Sequence, residues 1–252
     1  MFGIEYYIGT IAYLLKELGK IPVIKAGRHV GLPVIRVYTR MADGKLKVTQ
    51  TKIDSDKGKE LLKIAARRDM LARRAAQLSE ELKSNYHVDY DSIISQYTIS
   101  DVCKHRLNTS FWNTLGGSVN TYPKENDYYH KSDQLRSRVE SRLVEILDGL
   151  GLEYRYEVRI QVGNNPYDVD IVIHLPQFNC CFMIEYFGSM NSPRRVSESQ
   201  DKIINYSKAG ILSCRDIIFL CGTDNSMPST EMVEEIVTGF INGISRQHVF
   251  IK

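Results

Sequence analysis

The chain has 252 residues, 43% hydrophobic and 25% charged, an ordinary globular composition that supports one large domain or two small ones. A net charge of +3 is too mild to imply a nucleic-acid partner by itself. No apolar run reaches the length of a membrane span, and Ile8 to Leu15, short and preceded by Glu5, does not read as a signal peptide.

Charge distribution says more than its sum. Arg67-Arg68, Arg73-Arg74, Arg136, Arg138, Arg142 and Arg194-Arg195 are clustered, while Glu231, Glu234 and Glu235 gather near the C-terminus. Local basic surface attracts phosphates even when the total is small; solvated helix faces give the same pattern. The five cysteines, Cys103, Cys180, Cys181, Cys214 and Cys221, have no zinc-ligand spacing and read as reduced thiols of a cytoplasmic protein.

In chain order, Ile4 to Leu18 predicts a short amphipathic helix ending at Gly19. Val34 to Thr39 and Lys45 to Thr51 flank Ala42-Asp43-Gly44, a hairpin signal. From Ser55 to Lys83 apolar residues recur at helical spacing; a helix of about 29 residues spans roughly 43 Å and needs a partner, which Tyr90 to Tyr97 can begin. Thr98 to His130, with Trp112, Gly116-Gly117 and Pro123, reads as a connecting arm. Its aromatics with Lys104, His105, Arg106, Lys124 and Lys131 allow stacking and charge contact with nucleic acid; the plainer reading is a loop packed across the core.

Ser132 to Leu150 predicts a helix with Leu135, Val139, Leu143, Ile146, Leu147 and Leu150 on one face, capped by Ser132 or Asp133 and ended by Gly149 or Gly151. Strands follow at Tyr154 to Val162, Tyr167 to His174 and Cys180 to Phe187, the first two joined by the turn Gly163-Asn164-Asn165-Pro166. Ser197 to Lys208 is a helix, Asp216 to Cys221 an apolar strand and Met232 to Asn242 a final helix. The order is α-β-β-β-α-β-α.

Acids inside apolar strands carry the chemical signal. A carboxylate such as Glu185, amid Cys181-Phe182-Met183-Ile184 and Tyr186-Phe187, is costly unless paired or bound to a cation. Asp170 heads the apolar run Ile171-Val172-Ile173. Two carboxylates on neighbouring strands can hold a divalent metal, the backbone carbonyl of Tyr186 adding a third oxygen. One or two Mg2+ ions supply what phosphodiester hydrolysis needs: a hydroxide, a stabilised transition state and a less charged leaving oxygen. Glu140, beside core-facing Val139, is placed to assist. No lysine stands two residues after Glu185, where Phe187 lies; the nearest amine able to orient water and depress the acids' pKa values is Lys202 on the next helix.

These segments resemble the PD-(D/E)XK nuclease superfamily. Leu135-Arg136-Ser137-Arg138-Val139-Glu140 is similar to the Arg-Ser-Lys-x-Glu signature of one bacterial group within it, and Tyr154-Arg155-Tyr156-Glu157 to its Tyr-x-Tyr-Glu. Ile184-Glu185-Tyr186-Phe187-Gly188 is similar to its Glu-His-Phe-Gly, with Tyr186 replacing the histidine. Lys202-Ile203-Ile204-Asn205-Tyr206, followed by Gly210-Ile211, is similar to its Lys-x3-Tyr-x3-Gly-Ile, in which the superfamily lysine has migrated to the helix; Lys202 is the matching position. The resemblance covers about Ser132 to Ile241. The usual Pro-Asp pair is stretched to Pro166-Tyr167-Asp168-Val169-Asp170, so Asp168 or Asp170 is the ligand, Asp170 preferred as nearer the core.

The expected fold is α/β, a restriction-endonuclease-like mixed sheet flanked by helices over 131–252, preceded by a helical and β-hairpin region with its arm over 1–130. The expected function is Mg2+- or Mn2+-dependent hydrolysis of DNA, RNA being indistinguishable by residue chemistry. Catalysis falls to Glu140, Asp170, Glu185 and Lys202; the metal ligands are Asp170, Glu185 and the Tyr186 carbonyl, with Asp168 and Glu157 as possible additions. Arg136, Arg138, Arg194 and Arg195 hold phosphates. The helix over 55–83 binds nucleic acid or mediates a homodimer. The competing expectation is a catalytically inactive nuclease fold serving binding or assembly.

Overall fold

The computed structural model describes residues 1–100, 102, 105–117, 128–130, 133–163, 165–223 and 226–252, residue 133 by its backbone. Cys103, Lys104, Pro123, Lys124, Lys131, Ser132 and Asn164, invoked above, lie outside the described residues. The chain divides into two compact units, Gly3–Ile99 with Val249–Lys252, and Met1–Phe2 with Ser100–His248. The division therefore falls near residue 100 instead of 130. The physical reason is that the expected arm belongs to the second unit's core: Leu107 and Trp112 are buried among its strand residues. Trp112 stacks on His174 at 4.8 Å between ring centroids, and the Arg155 guanidinium lies 4.3 Å over it.

The first unit contains α1 (Ile4–Lys20), β1 (Val23–His29), β2 (Leu32–Arg40), β3 (Leu46–Lys52), α2 (Asp56–Tyr86), α3 (Tyr90–Ile93) and β4 (Tyr97–Ile99). β1, β2 and β3 form an antiparallel sheet in that order. The expected hairpin is β2–β3, with Gly44 at φ 82° in its turn. Strand β1 had no sequence signal, because it joins β2 through Val30 and Gly31, both at positive φ (49° and 78°). A β-branched residue there departs from the Asn-Gly type of turn. β4 pairs antiparallel with the chain's last strand, Val249–Ile251.

Ser55 caps α2, its hydroxyl accepting from the Gly58 N–H at 3.0 Å. The partner of α2 is α1, not a helix from Tyr90, which lasts four residues. Asn85 donates to the Tyr7 hydroxyl at 3.2 Å. Arg68 caps the end of α1, bonding the carbonyls of Leu18 at 2.6 Å and Ile21 at 2.7 Å. One of the clustered arginines is thus structural, and the apolar stripe of α2 is buried within the unit at Ala75, Leu78 and Leu82, while Leu62 is exposed.

The second unit contains α4 (Thr109–Thr114), β5 (Tyr129–His130), β6 (Asp133–Gln134), α5 (Arg138–Gly149), β7 (Glu153–Val162), β8 (Asn165–Leu175), β9 (Cys180–Phe187), α6 (Pro193–Lys208), β10 (Ile217–Cys221) and α7 (Thr230–His248); β11 is Val249–Ile251. From α5 to α7 the expected order holds. The sheet runs β10-β9-β8-β7, antiparallel except for the parallel pair β9–β10. Helix α5 begins at Arg138 rather than Ser132. Its cap is Ser137, whose hydroxyl accepts from the Glu140 N–H at 3.2 Å; Leu135, expected on the helix, is buried ahead of it. One sheet face packs Trp112, Tyr206 and Ile211 against Val158, Val169, Val172 and Met183. On β9, the alternate residue Phe182 meets Phe240 of α7 at 4.7 Å. The four described cysteines are free thiols. Among the described residues no helix is long and apolar enough to cross a membrane.

Gly58 sits where α2 starts against the end of β3. A Cβ there would lie 2.2 Å from the Lys52 carbonyl oxygen and 2.7 Å from that of Ile53. Backbone cannot rotate aside, so Gly58→Ala is expected to destabilise the chain by about 1–3 kcal/mol, read as a lowered denaturation midpoint; an unchanged midpoint would contradict this packing.

Candidate functional site

The pairing of β8 with β9 sets Ile171 opposite Ile184. One step along, the same register places Asp170 opposite Glu185. On the other side of β8, Tyr156↔Ile171 and Val158↔Val169 place Glu157 opposite Asp170. Three acids therefore share one row of the sheet. Regular pairing breaks on this row: Glu157 has φ 50°, and Val169 and Val172, three residues apart, pack in the same cluster, which strict alternation forbids. A non-glycine residue in the left-handed region inside a strand is strained, and such strain gathers at functional sites.

Each acid on the row is held differently. The Asp170 carboxylate accepts the Tyr186 N–H at 2.7 Å, taking up a peptide donor at the break. Glu185 is buried. Its Oε1 is ion-paired with the Lys202 ammonium, and its Oε2 accepts from the Tyr206 hydroxyl at 3.1 Å. Lys202 also donates to the Asp168 carbonyl at 3.4 Å. Sequence placed the lysine on α6, and α6 brings it to the acid. Tyr206 stands one helical turn beyond Lys202, so its approach to the same carboxylate follows from i,i+4 spacing.

Glu157 is neither on an exposed strand face nor in the cleft. It is completely buried and ion-paired with Arg136, because the break in β7 turns it inward. Arg136 is thereby largely committed, although it lines the cleft. Glu140 also lines the cleft, but its Oε2 accepts from the Arg136 N–H and the Tyr156 hydroxyl, both at 2.7 Å. With Ser137 this is a variant of the capping box. Asp168 is gripped by Arg159 through two bonds of 2.8 and 3.0 Å, leaving Asp170 as the aspartate beside Glu185. Arg159 had not been singled out; its position directly opposite Asp168 was visible only once register was known.

These groups border a cleft of about 870 Å³. Arg194 and Arg195, from the first turn of α6, stand on its rim and both pair with Glu198. Arg138 is exposed on α5 and does not line the cleft. Tyr186, Gly188 and Ser189 close the end beyond β9.

Electrostatics bear on whether a cation fits. Burial, and then the neighbouring charge of Glu185, push the Asp170 carboxyl well above its ordinary range. Burial also raises Glu185, and the Lys202 ammonium pulls it back. Burial and the Glu185 charge raise the Tyr206 phenol, which keeps it a donor. One ammonium, paired with Glu185, faces two adjacent acids, so a cation at their junction would take the place of the proton that Asp170 retains. Two carboxylates with a strand carbonyl suit Mg2+, which retains several waters and seldom needs a complete protein cage. Among the described residues no third His, Cys, Asp or Glu completes a metal-holding group with them.

The sign of the pH effect follows from the raised Asp170. The native state keeps this proton to higher pH than the unfolded chain does. Stability therefore falls as pH climbs from near 3.8 through the raised native value. In EDTA, Asp170→Asn is expected to raise the thermal midpoint by a few degrees at about pH 8, the gain shrinking toward about pH 4. A variant less stable than wild type at the higher pH would show that the carboxylate is not under this strain. The chain matches no protein-family model, no curated protein and no solved structure.

Proposed function

We propose that the second unit is a metal-dependent nuclease of the PD-(D/E)XK type, with the restriction-endonuclease-like fold that implies, acting on DNA. The observation that carries this reading is the juxtaposition of Asp170 and Glu185 on adjacent strands, beside a helix-borne lysine, in a cleft with arginines on its rim. The mixed sheet flanked by helices is compatible with that fold.

In this reading Asp170 and Glu185, with the carbonyl of Tyr186, hold a Mg2+ or Mn2+ ion, which supplies Lewis acidity and an activated water when bound. The protein's own groups do the rest. The Tyr186 N–H fixes the direction of Asp170, and Tyr206 fixes Glu185. Lys202 opposes the rise that burial imposes on Glu185 and presents N–H donors for orienting a water. Arg194 and Arg195 offset phosphate charge at the rim. Glu140 acts at one remove by anchoring the start of α5. The same observations also fit a non-catalytic binding module, since Glu185 has a complete set of internal partners.

The two readings separate by experiment. Purified chain incubated with plasmid, single-stranded DNA and RNA is expected to cleave in Mg2+ or Mn2+ and not in EDTA. Glu185→Gln is expected to lower the rate by about 100-fold or more, equivalent to several kcal/mol of lost stabilisation, and to abolish Mn2+ binding in a calorimetric titration. Intact substrate in every condition, with no Mn2+ uptake, would leave the binding module standing.

A further inference from the structure

We infer that the open face of the three-stranded sheet in the first unit is a docking surface for the phosphate backbone of a nucleic-acid duplex. The stretch from Val23 to Lys52 carries seven lysines and arginines against one acid, Asp43. That acid sits in the β2–β3 turn and is taken by Lys45 at 3.5 Å. Register then sorts the cations by face. Lys25 lies opposite Arg36 on β2, and Lys52 lies opposite Val34, two residues before Arg36. Side chains of like parity share a face, so Lys25, Arg36, Arg40 and Lys52 stand together. Only Arg28 and Lys47 fall on the other face.

The face carrying the four cations is the open one. The opposite face holds Ile35, which is fully buried, with Ile24 and Thr51 half-buried. On the cationic face Val23, Val48 and Gln50 are exposed, as are Lys25, Arg40 and Lys52; Val34 is buried, and Arg36 is half-buried with its guanidinium donating to the Arg28 carbonyl at 2.9 Å. Lys25, Arg40 and Lys52 form no ion pair among the described residues. No acid stands anywhere on this face.

Unneutralised cations on a sheet are costly to crowd unless an anion joins them. Here strand spacing and rise distribute them over roughly 10 by 20 Å, since Lys52 lies level with Val34 and Arg40 stands at the far end of β2, a scale matching successive phosphates along a duplex rather than one small anion. The face presents Tyr38 and no Phe or Trp, and its exposed apolar side chains, Val23, Leu32, Leu46 and Val48, are aliphatic; a lipid surface is therefore the competing occupant that the test includes. The choice of nucleic acid over another polyanion rests on reading the cleft of the second unit as a nuclease.

The test measures binding, separately from cleavage. Full-length chain in EDTA is titrated against a short labelled DNA duplex by fluorescence anisotropy, over about 50–200 mM salt. The variant Lys25→Gln, Arg40→Gln, Lys52→Gln is expected to bind at least about tenfold more weakly and to lose about three units of salt slope. A control neutralising Lys20, Lys83 and Lys208 removes equal charge elsewhere and is expected to bind like wild type. Lys25→Arg with Lys52→Arg is expected to preserve binding, and thermal melts establish that each variant is folded. Equal loss in the control, or competition by phosphatidylserine vesicles as strong as by duplex DNA or duplex RNA, overturns the inference. Cleavage without sheet-dependent binding overturns it and spares the nuclease reading. Sheet-dependent binding without cleavage does the reverse.

Discussion

The ion pair between Glu185 and Lys202 is the constraint on which the second unit turns. A carboxylate in the middle of an apolar strand cannot remain charged without a partner. The partner must come from a neighbouring element, so β9 and α6 are held in one relation. Tyr206 reinforces that relation by bonding the second oxygen of the same acid and burying its ring against the sheet. A buried pair of this kind is a poor source of stability. What it secures is position: it sets an ammonium and a carboxylate at the edge of a cleft.

The sheet bears a corresponding cost on the same row. Regular alternation would send one of the acids away from the others. The break at Glu157 and Asp170 resets the alternation and leaves a peptide N–H that Asp170 satisfies. Glu157 is turned inward and needs Arg136, and Arg136 in turn leans on Glu140 and the cap of α5. The buried charges thus form a chain of dependencies running from the central strands to the start of a helix. Removing any one leaves another uncompensated in a low-dielectric setting.

The two units differ in electrostatic character. In the second, the buried acids Glu140, Glu157 and Glu185 are held by internal partners, while Arg138, Lys208 and Glu234 are exposed. In the first, acids and bases are well mixed along α2 but separate sharply on the sheet, where cations stand in the open.

Much was legible in the sequence because it rests on local rules. Apolar periodicity located α2, β9 and the element order from α5 to α7. The expense of Asp170 and Glu185 within apolar runs marked them, and the spacing of Lys202 and Tyr206 placed both on one side of a helix. The limits were equally physical. Strand β1 was missed because its turn has unusual backbone angles. The start of α5 was misplaced because the Ser137 cap is completed by bonds from Arg136 and Tyr156, and Tyr156 lies on another element. The roles of Arg136, Arg159 and Glu157 depend on cross-strand register, which no single segment encodes. Residue identity determined which groups carry charge and which stretches must be buried. Only the packed structure decided which charges neutralise one another and which remain for a ligand, because that depends on distances between segments far apart in the chain.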